Sequence, residues 1–94
     1  MKNTDKIRLE KAAHILKSIA HPTRLGVVEM LASEKELSVN AMSVTLGCEQ
    51  SLLSHHLTNM KLKGILNARR VGTTIYYSMS DINLRPIIEC LKEC

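Results

Sequence analysis

The sequence predicts a mainly α-helical chain with one small β-hairpin, a winged helix-turn-helix of five helices and a two-stranded wing in a single domain, residues 1–94. Three observations support this. Apolar residues recur at helical spacing in four successive segments before Gly64. The third and fourth segments are joined by a tight break at Gly47. After Gly64 the apolar period shortens to two residues, which is typical of strands.

The first two helices are separated by a His-Pro pair. The first is expected over residues 5–20 and the second from His21 to about Ser33, because Pro22 suits a first turn and disfavours helical geometry before it. Gly26 lies inside the second helix without a reason visible in the sequence. Residues 34–37 are expected to be a polar connection. The apolar side of the first helix comprises Leu9, Ala12, Ala13, Leu16, Ile19 and Ala20.

The remaining elements follow from caps and turn residues. Ser38 is a plausible N-cap for a third helix that ends at Leu46, and a fourth helix runs from Gln50 to about Lys63. Two strands follow, ILNARR and TTIYYSM, with Val71-Gly72 between them as the turn. The last helix is expected from Asn83, its N-cap, to Cys94, which places Pro86 in the first turn.

Size and composition limit the class of protein. A chain of 94 residues without Trp or Phe has a small core, and such chains often associate with a second copy. No run of apolar residues exceeds three, which excludes a membrane span. The three cysteines are an odd number, so reduced thiols and a cytoplasmic location are expected.

The net charge of +4 is concentrated in one segment. Residues 50–80 contain no Asp or Glu, and the nine basic and nine acidic residues elsewhere cancel. An ordinary solvated basic face would also fit, but a positive potential confined to one surface favours a nucleic acid. With only two aromatic residues, adjacent in sequence, duplex DNA is favoured over stacked single strands. The basic residues of this segment are Lys61, Lys63, Arg69 and Arg70.

The stretch CEQSLLSHHLTNM combines a cysteine, a glutamate and two histidines, and it could be read as a metal site. On a helical wheel, however, His55 and His56 point about 100° apart, so they cannot share one ion. Leu53, Leu57 and Met60 form the inward side, His56 flanks it as a hydrogen-bonded, partly buried histidine, and His55 faces outward. Cys48 is interpreted as a small apolar turn residue. The outward side carries neutral hydrogen-bonding groups suited to bases and phosphates: Gln50, Ser51, Ser54 and His55.

Three segments of the chain resemble the ArsR/SmtB family of repressors. They are ILKSIAHPTRLGVVEML, CEQSLLSHHLTNMKLKGIL and RRVGTTIYYSM, in the family's order between about residues 12 and 80. The resemblance implies a homodimeric winged-helix repressor, held together by its first and last helices and released from its operator by an inducer. It places Gln50, Ser51, Ser54 and His55 in the major groove, and Arg69, Arg70, Thr73 and Thr74 in the wing.

The family's metal sites do not carry over to this sequence. Ser38 and Asn40 stand where the third-helix thiolates would be, and Asn83 replaces a last-helix histidine. A hydroxyl and an amide are poor ligands for soft metals, so neither a metal site nor a cofactor is expected. Cys90 and Cys94 could be packing residues at a dimer contact or a thiol pair that binds a soft metal or metalloid or is oxidised.

The assembly and the function are thus predicted together. A homodimer is expected through the apolar residues of the first and last helices, with double-stranded DNA as the partner and no membrane. A protein-interaction module on the same scaffold, without an inducer site, is the alternative. An enzyme is not expected, because no serine–histidine–acid or paired-carboxylate arrangement is visible. The predicted dimer residues are Leu9, Leu16, Leu84, Ile87, Ile88 and Leu91.

Overall fold

A computed structural model describes residues 2–81 and 84–94. Five helices and a three-stranded antiparallel sheet follow one another along this part of the chain. In chain order they are α1 (Asn3–Ile19), α2 (Pro22–Ser33), β1 (Leu37–Ser38), α3 (Val39–Leu46), α4 (Gln50–Leu62), β2 (Leu66–Val71), β3 (Thr74–Met79) and α5 (Arg85–Lys92). The predicted winged helix-turn-helix is confirmed.

The helix boundaries have the local causes that the sequence indicated. The Ser38 hydroxyl accepts a hydrogen bond from the Ala41 N–H at 3.1 Å and so caps α3. Gly47, with φ at 62°, ends that helix in the left-handed conformation. His21 caps α2, because its Nδ1 accepts from the Thr23 N–H at 3.1 Å. These caps set the path of the chain into the helix-turn-helix.

The structure explains Gly26. A Cβ atom at this position would lie 2.7 Å from Cδ2 of Leu46. Glycine therefore lets the end of α3 approach the backbone of α2 more closely than alanine would without movement of the leucine side chain. A glycine inside a helix costs about 1 kcal/mol relative to alanine, and this close approach gives a reason for its presence.

The sheet differs from the predicted two-stranded wing in two ways. Leu37 and Ser38 form a third strand, β1, opposite Tyr77 and Tyr76 of β3, so residues 34–37 are not only a polar connection. A strand of two residues is too short to show an alternating sequence pattern, so the sequence does not predict it. Val71 also belongs to β2, opposite Thr74, so the turn is Gly72-Thr73 and not Val71-Gly72. Gly72 has φ at 61°, as expected for a two-residue hairpin turn.

The core lies where α2, α3, α4 and the sheet meet. Its side chains are completely or almost completely removed from solvent, and α4 contributes three of them on the predicted inward side. The fully buried residues are Val27, Val28, Met42, Leu53, Leu57, Met60 and Ile65.

Part of the predicted dimer surface is buried within a single protomer. Leu84 and Ile88 are only 5% and 6% exposed, because they pack into the core of their own protomer. Ile87 and Leu91 are half-buried. Most of the apolar side of α1 is in contrast open to solvent, with Leu9 47% and Leu16 51% exposed. The surface left for a second copy is therefore dominated by α1, with Ile87 and Leu91 as the candidates on α5.

The last helix is shorter than predicted. Its expected N-cap, Asn83, lies outside the described residues, and Pro86 is in the first turn as predicted. The helix ends at Lys92, so Cys94 is not part of it. The Cys94 thiol donates to the Cys90 carbonyl oxygen at 3.5 Å, and its backbone N–H donates to the Leu91 carbonyl oxygen at 3.2 Å.

Candidate nucleic-acid interface

The two faces of α4 are separated as the helical wheel predicted. Leu53, Leu57 and Met60 are fully buried, and His55 is exposed on the other side. Gln50 and Ser51 are also exposed, and Ser54 is partly so. Over its first two turns the helix thus presents uncharged side chains that are polar except for Leu52, which is 53% exposed. That surface can be inserted into a groove without disturbing the core that holds the helix.

Four of the predicted contact residues line one cleft between α4 and the wing. The cleft has a volume of about 320 Å³. Gln50 and Ser54 stand on one side, and Thr73 and Thr74 of the hairpin stand on the other. The structure therefore brings together residues that are about twenty positions apart in sequence. The start of α3 completes the lining with Ser38, Val39 and Asn40, and β3 adds Ile75.

The side chains of the first turn of α4 are held by neighbours. Gln50 donates an N–H from Nε2 to Oδ1 of Asn40 at 2.7 Å. The Ser51 hydroxyl donates to the carboxylate of Glu49 at 2.6 Å. Both pairs are exposed to solvent, and each hydrogen bond favours one rotamer of a predicted contact residue before any ligand is present.

A polar cluster fixes the inward flank of α4. Arg24 of α2 donates its Nε–H to Nδ1 of His56 at 3.0 Å. Its guanidinium also donates to Oδ1 of Asn59 at 2.9 Å and to the Ser18 carbonyl oxygen at 3.0 Å. One arginine thus joins α1, α2 and α4. His56 is buried and hydrogen-bonded, as predicted.

The surroundings of His56 favour the neutral form of its ring. Its pKa is lowered from the ordinary value of 6.5, first by burial and then by the nearby charges of His21, Arg24 and His55. The ring of His21 lies 4.4 Å from that of His56, and the ring of His55 lies 6.3 Å from it. A neutral ring leaves Nδ1 free to accept from Arg24, whereas an imidazolium could not.

The two wing arginines differ in availability. Arg69 donates to both carboxylate oxygens of Glu36, at 3.1 and 2.6 Å, and its guanidinium carbon lies 5.2 Å from the centre of the Tyr76 ring. The hydrogen bond from Arg69 lowers the pKa of Glu36, and the same bond raises the pKa of Arg69. Arg70 is exposed, as are Lys61 and Lys63.

The ion pair between Arg69 and Glu36 changes the predicted charge distribution. Glu36 lies outside the acid-free segment in sequence, but the fold places it on that segment's surface. It neutralises one of the four predicted positive charges there.

The cysteines are free thiols. Cys48 is partly buried against the core, as its interpretation as a turn residue requires, and Cys90 and Cys94 are exposed. Among residues 2–81 and 84–94, no three His, Cys, Asp or Glu side chains come close enough to hold a metal ion together. No helix in the same part of the chain is both long and apolar enough to cross a membrane.

Three residues that support this surface were not singled out as part of it in the sequence. Arg24, Glu36 and Asn40 each act through a partner on another element, between 10 and 35 residues away. Only Arg24 left a signal, because an arginine at the start of the mostly apolar stretch RLGVVEML needs polar partners. The partner of Glu36 is set by the pairing of strands in the sheet. The partner of Asn40 is set by the turn between α3 and α4.

Comparison with known proteins places the chain among transcriptional regulators. Residues 21–68 match the family model described as bacterial regulatory protein, arsR family. The transcriptional repressor PagR of Bacillus anthracis is 40% identical over 84 residues, which cover 89% of this chain and 84% of that protein. The transcriptional activator HlyU of Vibrio cholerae is 37% identical over 81 residues, covering 86% and 74%.

Solved structures agree with these relatives. Reduced HlyU from Vibrio cholerae superposes with a TM-score of 0.86 at 33% identity, covering 98% of this chain and 96% of that one. The homodimeric winged helix-turn-helix DNA-binding domain of Mb0332 from Mycobacterium bovis gives a TM-score of 0.78 at 25% identity, covering 99% and 85%.

Proposed function

Because this chain belongs to the arsR family of bacterial regulatory proteins, we propose that it is a dimeric, sequence-specific DNA-binding repressor that an inducer releases from its operator. One observation carries the proposal. The polar face of α4, with Gln50, Ser51 and His55 exposed, stands beside the hairpin of β2 and β3 across an open cleft. A major groove admits a helix of this kind, and the wing then reaches the flanking backbone.

The residues divide into those that would read bases and those that would hold the backbone. Gln50, Ser54 and His55 of the recognition helix, α4, are assigned to base edges, and Ser51 and Thr73 to bases or phosphates. Arg70 and Lys61 are exposed cations and are assigned to phosphates, as is Thr74, which lines the cleft. Arg69 is assigned to the wing's architecture, because its Nε–H and one of its two terminal nitrogens already donate to the carboxylate of Glu36.

A homodimer is supported by the exposed apolar side of α1 and by the relative described as homodimeric. Ile7, Leu9 and Leu16 are 65%, 47% and 51% exposed, which is costly for a single protomer in water. A two-fold dimer would present two recognition helices to half-sites about 10 base pairs apart, or a multiple of that.

Repression is proposed over activation. PagR is named a repressor and HlyU an activator, so the printed names of relatives support both. A dimer bound through both recognition helices would occupy the operator itself, so repression by occlusion needs no further partner. The chain would act where the genome is, in the cytoplasm, and no catalytic role or cofactor is proposed for it.

The inducer would act through the terminal helices. Cys90 and Cys94 are exposed thiols beside the half-buried Leu91, a residue predicted to touch the second copy. A soft metal, a metalloid or an oxidant at these thiols would shift the dimer toward a geometry that fits DNA less well.

The test is selection of duplexes from a randomised pool, followed by gel shifts with the selected and a scrambled sequence. The wild-type protein should enrich one symmetric motif. His55→Ala should fold normally and lose discrimination between the two duplexes by a factor of about 5 to 150, the worth of one base contact. Ser33→Ala, a change at an exposed serine at the end of α2, is the control. A wild-type protein that binds no duplex would favour a protein-interaction module instead.

A further inference from the structure

The hydrogen bond between Gln50 and Asn40 joins the two helices of the helix-turn-helix at the mouth of the cleft. Gln50 is the first residue of α4 and Asn40 the second residue of α3. Both side chains are exposed, and both line the cleft opposite Thr73 and Thr74. The bond, 2.7 Å from Nε2 to Oδ1, therefore orients a side chain that points toward the expected DNA.

This bond leaves Gln50 with a defined set of free groups. A carboxamide has two N–H donors and one oxygen acceptor. Asn40 takes one donor, so one N–H and the oxygen Oε1 remain for a base. When Asn40 binds the N–H that points away from Oε1, the second N–H lies beside the oxygen on one edge of the carboxamide.

The remaining pair of groups matches one base. In the major groove adenine presents N7 as an acceptor beside the N6 amino donor, which a glutamine can bind with its N–H and its oxygen at once. Guanine presents two acceptors, N7 and O6, and would need two donors. Gln50 held by Asn40 has only one donor to give.

We propose that Asn40 is a positioning residue that makes Gln50 read adenine at one base pair of each half-site. The inference rests on the proposed DNA-binding function and adds the base and the residue that sets it. Without Asn40 the carboxamide of Gln50 can rotate by 180° and exchange the positions of its N–H groups and its oxygen. The preference for adenine would then weaken, although Gln50 itself is unchanged.

The neighbouring groups leave this pairing undisturbed. The hydroxyl of Ser51, one residue further along, already donates to Glu49 at 2.6 Å. Thr45, further along α3, donates its hydroxyl to the Ala41 carbonyl oxygen of its own helix at 3.2 Å, and it does not line the cleft. Thr45 therefore offers a matched control on the same helix.

The experiment selects duplexes from one randomised pool with five proteins: the wild type, Gln50→Ala, Asn40→Ala, Asn40→Asp and Thr45→Ala. We expect the wild type and Thr45→Ala to enrich adenine at the same pair. Gln50→Ala should lose that preference, and Asn40→Ala should weaken it about two- to tenfold at the same pair only. Asn40→Asp keeps the acceptor, so it should retain the preference while its added negative charge lowers affinity for every duplex.

A second measurement needs no variant of Asn40. Replacing the selected adenine with 7-deazaadenine removes N7, which should weaken wild-type binding and leave Gln50→Ala unaffected. The inference is overturned if wild-type binding ignores this replacement, or if Asn40→Ala folds and keeps the full adenine preference. Either result leaves the proposed function standing, provided that the wild type enriches a motif. A wild type that enriches none overturns both.

Discussion

Arg24 of α2 donates its Nε–H to Nδ1 of His56 on the recognition helix, across 3.0 Å. The contact holds the inward flank of α4 against α2, while Asn59 accepts a second hydrogen bond from the same guanidinium. Since only a neutral imidazole can accept at Nδ1, protonation of His56 would break this contact between the two helices.

Acidification should therefore destabilise the protein through His56. Its pKa is below the ordinary 6.5 in the fold, mainly because of burial, and returns to that value on unfolding. As the pH falls below about 6.5, the unfolded chain binds a proton that the folded ring still refuses, so the free energy of unfolding decreases. Above that pH both states are neutral and the contribution stays constant. Urea denaturation between about pH 7.5 and about pH 5.5 would measure the loss.

The matched variants are His56→Asn and His14→Asn. Asparagine at position 56 offers Arg24 a carbonyl oxygen that does not titrate, so the pH dependence should become shallower. His14 is exposed on α1, and its replacement should leave the dependence nearly as in the wild type. Parallel curves for His56→Asn and the wild type would show that the acid sensitivity arises elsewhere.

The salt dependence of DNA binding should distinguish the two wing arginines. If Lys61, Lys63 and Arg70 contact phosphates in both subunits, about six counterions are released and the log–log slope is roughly −5. Arg70→Ala should make this slope shallower by about 2. Arg69→Ala should change it much less, because Glu36 already neutralises that charge.

Glu36→Gln provides the reverse test at the same position. It removes the carboxylate that holds Arg69, so the freed guanidinium should steepen the slope, by up to about 2 for the dimer. Lys92→Ala on α5, away from the cleft, is the control. A slope that Arg69→Ala reduces as much as Arg70→Ala would contradict the assignment of Arg69 to the wing's architecture.

The sequence predicted the order of the helices because each boundary is marked locally. Ser38, Gly47 and Pro22 act on the backbone within a few residues, and the inward side of α4 follows from helical spacing alone. The strand β1 has only two residues and is defined by its partners Tyr76 and Tyr77, which no local pattern reveals.

The site could be predicted only in part, for a similar reason. The exposed residues of α4 follow from its periodicity. The side chains that orient or neutralise them do not, because Glu36 reaches Arg69 across 33 positions and Arg24 reaches His56 across 32. The predicted dimer residues Leu84 and Ile88 show the same limit. They are buried within their own protomer, and an apolar stripe does not tell whether it meets its own core or a second copy.

Dimerisation should depend on α1. Leu16 is 51% exposed, so Leu16→Glu should leave the protomer folded, produce monomers in sedimentation, and weaken binding to a two-half-site operator. Leu62→Glu, at a leucine 79% exposed near the end of α4, should stay dimeric. A wild-type protein that sediments as a monomer at micromolar concentration would refute the dimer.

Ile88→Glu should behave differently from Leu16→Glu, although both residues were predicted to be at the interface. Ile88 is 6% exposed and packs in the core of its protomer, so a carboxylate there should lower the fraction of folded protein. Circular dichroism would separate this loss of fold from a loss of association. A folded, monomeric Ile88→Glu would return Ile88 to the interface.

The last prediction concerns the thiols. Cys94 follows the end of α5, and its thiol donates to the carbonyl oxygen of Cys90. Because Cys94 lies outside the helix, the spacing of about 5–6 Å between helical side chains at positions i and i+4 does not apply to this pair. Both thiols are exposed, and a soft ligand or an oxidant can reach them in the protomer.

If they form the switch, the variant Cys90→Ser, Cys94→Ser should stay on DNA during titration with arsenite, cadmium or polysulfide, while the wild type is released by one of them. Cys48→Ser, at the partly buried turn, is the control and should respond as the wild type does. Release of the double variant at the wild-type dose would make Cys90 and Cys94 packing residues and place the inducer elsewhere.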